Sequence, residues 1–357
     1  KNVLYEMLKK YIIMYLFFMQ VFSNDFIPLN DSMINYTQVF FKWPQMENTE
    51  SYVLNIRNSS FENFQIITTY NSIIVEDFLD WDNEYDWEVC GISASDNIIL
   101  CHDEYSFTTN PLPEYYPNNI EVILSSDSYC AGITILDFDA NAFSAAIDKE
   151  GNPVWFVNKN LFGNLNPKIL VTQLLDSGNF IGIGVGSGYE FDINGNIIFE
   201  TPSIYGAHHH FIKEDGTYFL IDAHIQNRPC PQECDSDFPD EIPWQGDRFI
   251  ELSETGEVMW LWNTFQEISL LEYNPHYAEM YNGTNEFDWT HSNSVYFDPI
   301  VELVYISLRN LSRITAIDYN SKEMIRPESA LSLMHKRLLK FIETQDLKAI
   351  FPELRIR

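Results

Sequence analysis

Positive charge is what this chain has least of. Its 357 residues hold 21 Lys and Arg against 52 Asp and Glu, a formal charge of −31 at pH 7. Such a field repels polyanions, so nucleic acid and anionic membrane surfaces are excluded as partners. An anionic small molecule must be drawn in by a local basic cluster. Cysteine is scarce too, at five. Cys90 and Cys101 fall on successive expected strands and suit a cross-strand disulfide. Cys230 and Cys234 enclose Pro-Gln-Glu and suit a small disulfide loop, with zinc the competing reading; no second ligand pair at suitable spacing follows, so no metal is expected. Cys130 is left over. A long apolar run is missing near the N-terminus, where Lys9-Lys10 precede only nine apolar residues, Tyr11 to Met19. That run is too short to span a bilayer and reads as a secretory signal peptide over residues 1–24. An exported protein, periplasmic or secreted, with no membrane span after signal removal, is therefore expected.

Aromatic residues, by contrast, are plentiful. With 26 Phe, 20 Tyr and 8 Trp, the chain can fill sizeable cores and is long enough for two domains. Over residues 25–110, short alternating strands separated by turn residues give the spacing of a β-sandwich. Trp43-Pro44, Tyr52-Val53-Leu54 and Tyr85-Asp86-Trp87 resemble a fibronectin type III-like module, with Trp43 and Trp87 in its core. Residues 111–119 carry three prolines and read as a semi-rigid linker.

From 120 to 325 a motif recurs around Gly151, Gly195 and Gly256, as in Phe191-Asp192-Ile193-Asn194-Gly195-Asn196, with a degenerate copy at Ser321. Repeats of this length with two hairpins each mark β-propeller blades, which bury their faces only by stacking on neighbours. The fold expected is all-β: a sandwich followed by a partial propeller. Residues 326–357 carry seven bases against four acids, read as a divergent helical tail, and suggest that the propeller as given is truncated. Four Asn-x-Ser/Thr triplets begin at Asn35, Asn58, Asn282 and Asn310.

One stretch carries the chemistry. Asp288-Trp289-Thr290-His291-Ser292-Asn293 leads through an Asp298-Pro299 turn to Ser307-Leu308-Arg309. A symmetric five-residue loop over 298–302 pairs Phe297 with Leu303 and sets His291 opposite Arg309. Strand alternation then adds Asn293 to the same face, giving an imidazole, a carboxamide and a guanidinium suited to a tetrahedral oxyanion. This stretch resembles the signature blade of the bacterial aryl-sulfate sulfotransferase family. The resemblance implies a six-bladed propeller, of which about four blades are visible, and PAPS-independent, ping-pong transfer from an aryl sulfate donor to a phenolic acceptor through a histidine, with no cofactor.

It also directs attention to Ala207-His208-His209-His210-Phe211, where the family carries a His-His-Asp-Phe-like strand. His209 takes the place of the channel-lining histidine and His210 that of the Asp; alternation sets His209 on the face opposite His208 and His210. The implied site is His209, His291 and Arg309 as catalytic residues, with Asn293 and His208 binding substrate. The family's nucleophilic histidine lies downstream in a Gln-His motif that this sequence lacks. His335, the only histidine after Arg309, does not match it. The chain thus reads as an incomplete or inactive member unless His335 or His276 is recruited. The rival readings are a non-catalytic propeller that binds sulfated or carbohydrate ligands, and a quinone-dependent propeller dehydrogenase, whose calcium-type cluster has no place here. Oligomeric state is not legible.

Overall fold

The structure, a computed structural model, describes residues 26–95, 97–117, 120–122, 132–138, 142–162, 168–231, 238–281, 283 and 285–325. The expected signal peptide and helical tail, with Cys130, Cys234, Asn282 and His335, lie outside them. The chain forms two compact units, Lys1–Val157 and Asn158–Arg357, and among the described residues it is almost entirely β. Among these residues no helix is long and apolar enough to cross a membrane.

The first unit opens with β1 (Ser32–Ile34), β2 (Val39–Lys42), β3 (Ser51–Asn58), β4 (Asn63–Thr68) and β5 (Ser72–Val75). After them come β6 (Asn83–Ile92), β7 (Ile98–Cys101) and β8 (Tyr105–Thr109). One sheet runs β1-β8-β6-β3-β4 with β7 beside β6, and β2-β5 forms the facing layer. Period-2 alternation decides which side chains go inside: along β3, Tyr52, Leu54 and Ile56 are buried between half-buried neighbours. They meet Phe41, Trp43, Tyr85, Trp87 and Phe107 in one core, so both tryptophans are core residues, as expected. Cys90 pairs with Cys101 across β6 and β7, and the two are disulfide-bonded. Cys230 is also disulfide-bonded.

Next come β9 (Thr134–Phe138), β10 (Phe143–Ile147) and β11 (Pro153–Phe156), an antiparallel sheet within the first unit. Thr37 N–H donates to Val154 O and Phe156 N–H to Asn35 O, which ties this sheet to the sandwich segment and accounts for the division after Val157.

The second unit contains three successive blade-like sheets. The first is β12 (Leu170–Leu174), β13 (Phe180–Ile183), β14 (Gly188–Phe191) and β15 (Ile197–Glu200). Then follow β16 (Ala207–Glu214), β17 (Thr217–Pro229), β18 (Glu241–Leu252) and β19 (Val258–Asn263), with β20 (Phe287–Asp288) parallel to β18. Short helices α1 (Thr264–Glu267) and α2 (Pro275–Glu279) lie between β19 and β20, and β21 (Ser292–Asp298), β22 (Leu303–Leu308) and β23 (Arg313–Asp318) complete the set.

The sequence repeat is a tight turn near the end of each sheet, joining β10 to β11, β14 to β15 and β18 to β19 and following β23. Asp192 Oδ1 accepts the amides of Asn194 and Asn196 while Gly195 takes φ +85°; Asp148 with Gly151 and Ser253 with Gly256 do the same. Glycine is placed there because the left-handed conformation suits it. In the degenerate copy the left-handed residue is Lys322, one position later than Ser321.

First strands of consecutive sheets lie side by side. Gln173 on β12 exchanges hydrogen bonds with the backbone of Lys213 on β16, and His210 on β16 bonds the backbone of Val295 on β21. This adjacency brings the two histidine-bearing strands together. Three of the four glycosylation triplets are closed off by the fold: Asn35, Asn58 and Asn310 are buried, and Asn310 Nδ2 donates to Asp288 O.

Candidate functional site

Regular pairing fails where the histidines stand. On β16, Ala207 faces Asp222 and Phe211 faces Leu220, so three residues, His208 to His210, oppose Ile221 alone. His209 at φ +56° accommodates the excess, and the bulge overturns the alternation expected here. His208 and His209 turn to neighbouring positions, their ring centroids 5.1 Å apart. His210 instead bonds the Val295 backbone.

The hairpin register differs from the expectation in a second way. Asp298 pairs with Leu303 and Phe297 with Val304, so the loop has four residues and the register is one step off. A bulge at Asn293 restores it, because Ser294 faces Ser307 while Ser292 faces Leu308. His291 therefore still meets Arg309: the Arg309 amide donates to His291 O at 3.3 Å, and Arg309 Nη1 donates to His291 Nε2 at 3.0 Å. His291, like His209, has a left-handed backbone, φ +45°.

The two histidine strands share one site. The His209 and His291 ring centroids are 5.0 Å apart. His291 Nδ1 bonds the Asp288 carboxylate, which assigns its proton to Nδ1 and leaves Nε2 to accept from Arg309. His208 Nε2 lies 3.0 Å from Asp247 Oδ1. Asp247, fully buried, is the hub of the site. Its Oδ2 accepts from Thr290 Oγ1 at 2.5 Å, Ser292 Oγ at 2.6 Å and the Ser292 amide at 3.0 Å. One carboxylate on β18 thus fixes His208 on one side and the residues flanking His291 on the other. Burial pushes the Asp247 carboxyl up, but the bonds from His208, Ser292 and Thr290 outweigh it and hold the group below its ordinary range.

Burial first, then the neighbouring His208 and His291, lowers the His209 pKa, so this ring is neutral at pH 7. Next to the hub, the buried Asp222 carboxylate pairs with the partly exposed Arg248 guanidinium on the β17–β18 ladder. Asn293, at the bulge, is exposed. His276 stands on α2 with its ring 5.4 Å from Tyr277. Tyr277 in turn lies 5.9 Å from the Arg309 guanidinium.

Of the residues expected from sequence, His208, His209, His291 and Arg309 thus converge. Asp247 and Asp288 were missed as participants. Asp288 had a local signal, three residues before His291 within the same motif. Asp247 had none, because its partners lie 39 to 45 residues away.

A family model described as arylsulfotransferase (ASST) matches residues 96–325, well over half of the chain. The chain belongs to the arylsulfotransferase family. No curated protein sequence matches it. Among solved structures, a protein of unknown function from Bacteroides caccae is 11% identical over 78% of this chain and 93% of its own, with a TM-score of 0.25. The exotype rhamnogalacturonan lyase YesX is 9% identical over 84% of this chain and 51% of its own, with a TM-score of 0.26.

Proposed function

We propose that this arylsulfotransferase-family chain moves a sulfuryl group from a phenolic sulfate ester to a second phenol through a histidine, at the site formed by His208, His209, His291 and Arg309. The observation that carries the reading is the meeting of His209, His291 and Arg309 across two strands of neighbouring sheets. Sulfuryl transfer asks for cationic donors on the equatorial oxygens, in-line approach at sulfur and a group to manage the phenolic proton. Arg309, in a chain of net charge −31, supplies the local positive charge. Its guanidinium binds the oxygens, with a charged hydrogen bond worth about 1.5–3 kcal/mol.

His291 is engaged by Asp288 and Arg309, and His208 by Asp247, which among the described residues leaves His209 as the ring of the site to meet sulfur. Its neutral nitrogen attacks while the bond from sulfur to the aryl oxygen breaks, and the electron pair departs with the phenolate, which takes up a proton. The acceptor phenol then attacks sulfur, loses its proton, and returns the electron pair of the S–N bond to His209. Export, and a supporting role for the sandwich of residues 25–110, belong to the same proposal.

A second reading, a non-catalytic receptor for sulfated or carbohydrate ligands, is favoured by the bond from Arg309 to His291 Nε2, which suits binding as well as chemistry. Release of p-nitrophenol from p-nitrophenyl sulfate, with phenol as acceptor, separates the two. Catalysis requires release that collapses in His209→Ala and Arg309→Ala, together with a chain heavier by one SO₃ when donor is supplied alone. Equal release by wild type and both variants removes these residues from the mechanism. Ester binding without release supports the receptor.

A further inference from the structure

The histidines and Arg309 come from the second and third sheets of their unit, yet the first sheet reaches the same place. Gln173 on β12 lies beside Lys213 on β16. Counted back along the partner strands, from Ile181 to Ile183 and from Tyr218 to Leu220, both strands advance equally, so Leu170 stands level with Phe211. The same step again, from Leu220 to Asp222, arrives at Ala207 on the second sheet. Its counterpart on the first is Lys168. A direct link fixes this end, because the Ala207 amide donates at 3.1 Å to Gly186 O, in the turn between β13 and β14. Lys168, half-buried, is thus held at the edge of the His208–His210 bulge from the β12 side, whereas Arg309 comes from the β21–β22 side. Its charge is felt there. Burial is the largest cause of the lowered His209 pKa, His208 and His291 follow, Asp247 opposes them, and the Lys168 ammonium adds to the lowering. Lys213 and Arg248 are neutralised by Glu190 and Asp222, while among the described residues no ion pair engages Lys168.

We infer that Lys168 is a further substrate-binding residue of this site: its ammonium neutralises an oxygen of the sulfuryl group from the flank opposite Arg309. The inference rests on the sulfuryl-transfer reading for the identity of the ligand, but on the β12–β16 register for its geometry. A guanidinium fork approaching from one side engages two oxygens of a tetrahedral anion. The third is left for a donor on the far side, and a cation there also offsets the field of a chain with net charge −31. Lysine suits that task. Its charge is compact, its stem flexible and its three donors rotatable, so it can follow sulfur from the aryl oxygen to the imidazole nitrogen, while the rigid fork of Arg309 fixes orientation. The same positive charge disfavours protonation of His209 and so keeps its nitrogen available for attack.

Inorganic sulfate, titrated into the full chain and followed by calorimetry, is the probe, because its binding needs no turnover. Lys168→Met removes the charge and keeps an unbranched stem. Sulfate affinity is expected to fall about tenfold or more, equivalent to ~1.4 kcal/mol, and Lys168→Arg to recover most of it. Imidazole NMR without sulfate supplies a second reading, the His209 signals being identified by their loss in His209→Ala. His209 should titrate below the ordinary value of about 6.5 in wild type and in Lys168→Arg, and at a higher pH in Lys168→Met, with the difference shrinking as salt screens the charge. His210, whose pKa burial lowers, should titrate alike in all three chains, which an unfolded variant would not do. Sulfate affinity or a His209 titration unmoved by Lys168→Met, or no sulfate binding by wild type, would each overturn the inference. Sulfate binding that responds as expected in a chain releasing no p-nitrophenol supports the role of Lys168 and removes the transfer reading alone.

Discussion

Asp247 is the residue whose loss has the most calculable consequence. Its carboxylate is inaccessible to solvent and accepts four hydrogen bonds, from His208 Nε2, Thr290 Oγ1, Ser292 Oγ and the Ser292 amide. Asp247→Ala strands the donors of Thr290, Ser292 and His208 at a buried site; at about 1–3 kcal/mol for each buried donor left without a partner, the change costs about 3 kcal/mol or more. Asp247→Asn is milder. Its amide oxygen can stay on the side of Thr290 and Ser292, and its NH₂ can face His208 if that ring switches tautomer and accepts through Nε2. What is lost is then mainly the charge, about 1.5–3 kcal/mol. Urea unfolding followed by tryptophan fluorescence reads both values, since Trp244, Trp260, Trp262 and Trp289 share the core around this site. The order Ala worse than Asn is the diagnostic part. The sign with pH follows from the depressed carboxyl. Its stabilisation is fully present above the unfolded value, about 3.9, and is lost as pH falls through the lower folded value, so the gap between wild type and Asp247→Asn should close in acid. A cost below about 1 kcal/mol for Asp247→Ala at pH 7, or a gap that widens in acid, would refute the hub.

Three further outcomes follow from the same geometry. Because the His209 pKa is lowered, donor turnover should hold through neutral pH and fall only below the ordinary imidazole value of about 6.5; an acid limb above that value contradicts the neutral ring. Arg309→Lys keeps the charge but not the forked donor set, so kcat/KM for the aryl sulfate should drop by about 10- to 100-fold, the equivalent of ~1.5–3 kcal/mol, and a rate equal to wild type would show that charge alone suffices. In the first unit, Cys90→Ser with Cys101→Ser opens a loop with a sequence separation of 11. Loss of that closure should lower the urea stability of the sandwich by ~2–3 kcal/mol and leave aryl-sulfate turnover unaltered.

Much of this architecture is written in local patterns. The strands of the sandwich follow from period-2 alternation, and the blade turns from Asp or Ser three residues ahead of Gly, because both signals act over a few residues. Convergence of His291 with Arg309 was also legible, though by way of two compensating steps: a loop one residue shorter than expected and a bulge that returns the lost step. The three-histidine run was not. Alternation forbids two adjacent side chains from sharing a site unless the backbone between them leaves the strand conformation, and nothing in Ala207-His208-His209-His210-Phe211 announces a left-handed residue. Glycine would have been the ordinary choice there. That a histidine occupies the position implies that the ring is retained against a backbone cost.

That implication can be measured. His209→Gly and His209→Ala delete the same imidazole, so both should abolish aryl-sulfate turnover. They differ in whether the new residue tolerates φ +56°. Alanine keeps the Cβ that makes this region unfavourable by roughly 1–2 kcal/mol, whereas glycine does not. Glycine also gives the unfolded chain more freedom, which offsets about 0.4–1 kcal/mol of the gain. The glycine variant should therefore be the more stable of the two, by up to about 1.6 kcal/mol. Urea midpoints at constant slope decide it. An alanine variant as stable as the glycine one, or more so, would mean that His209 does not hold the left-handed backbone on which the shared site depends.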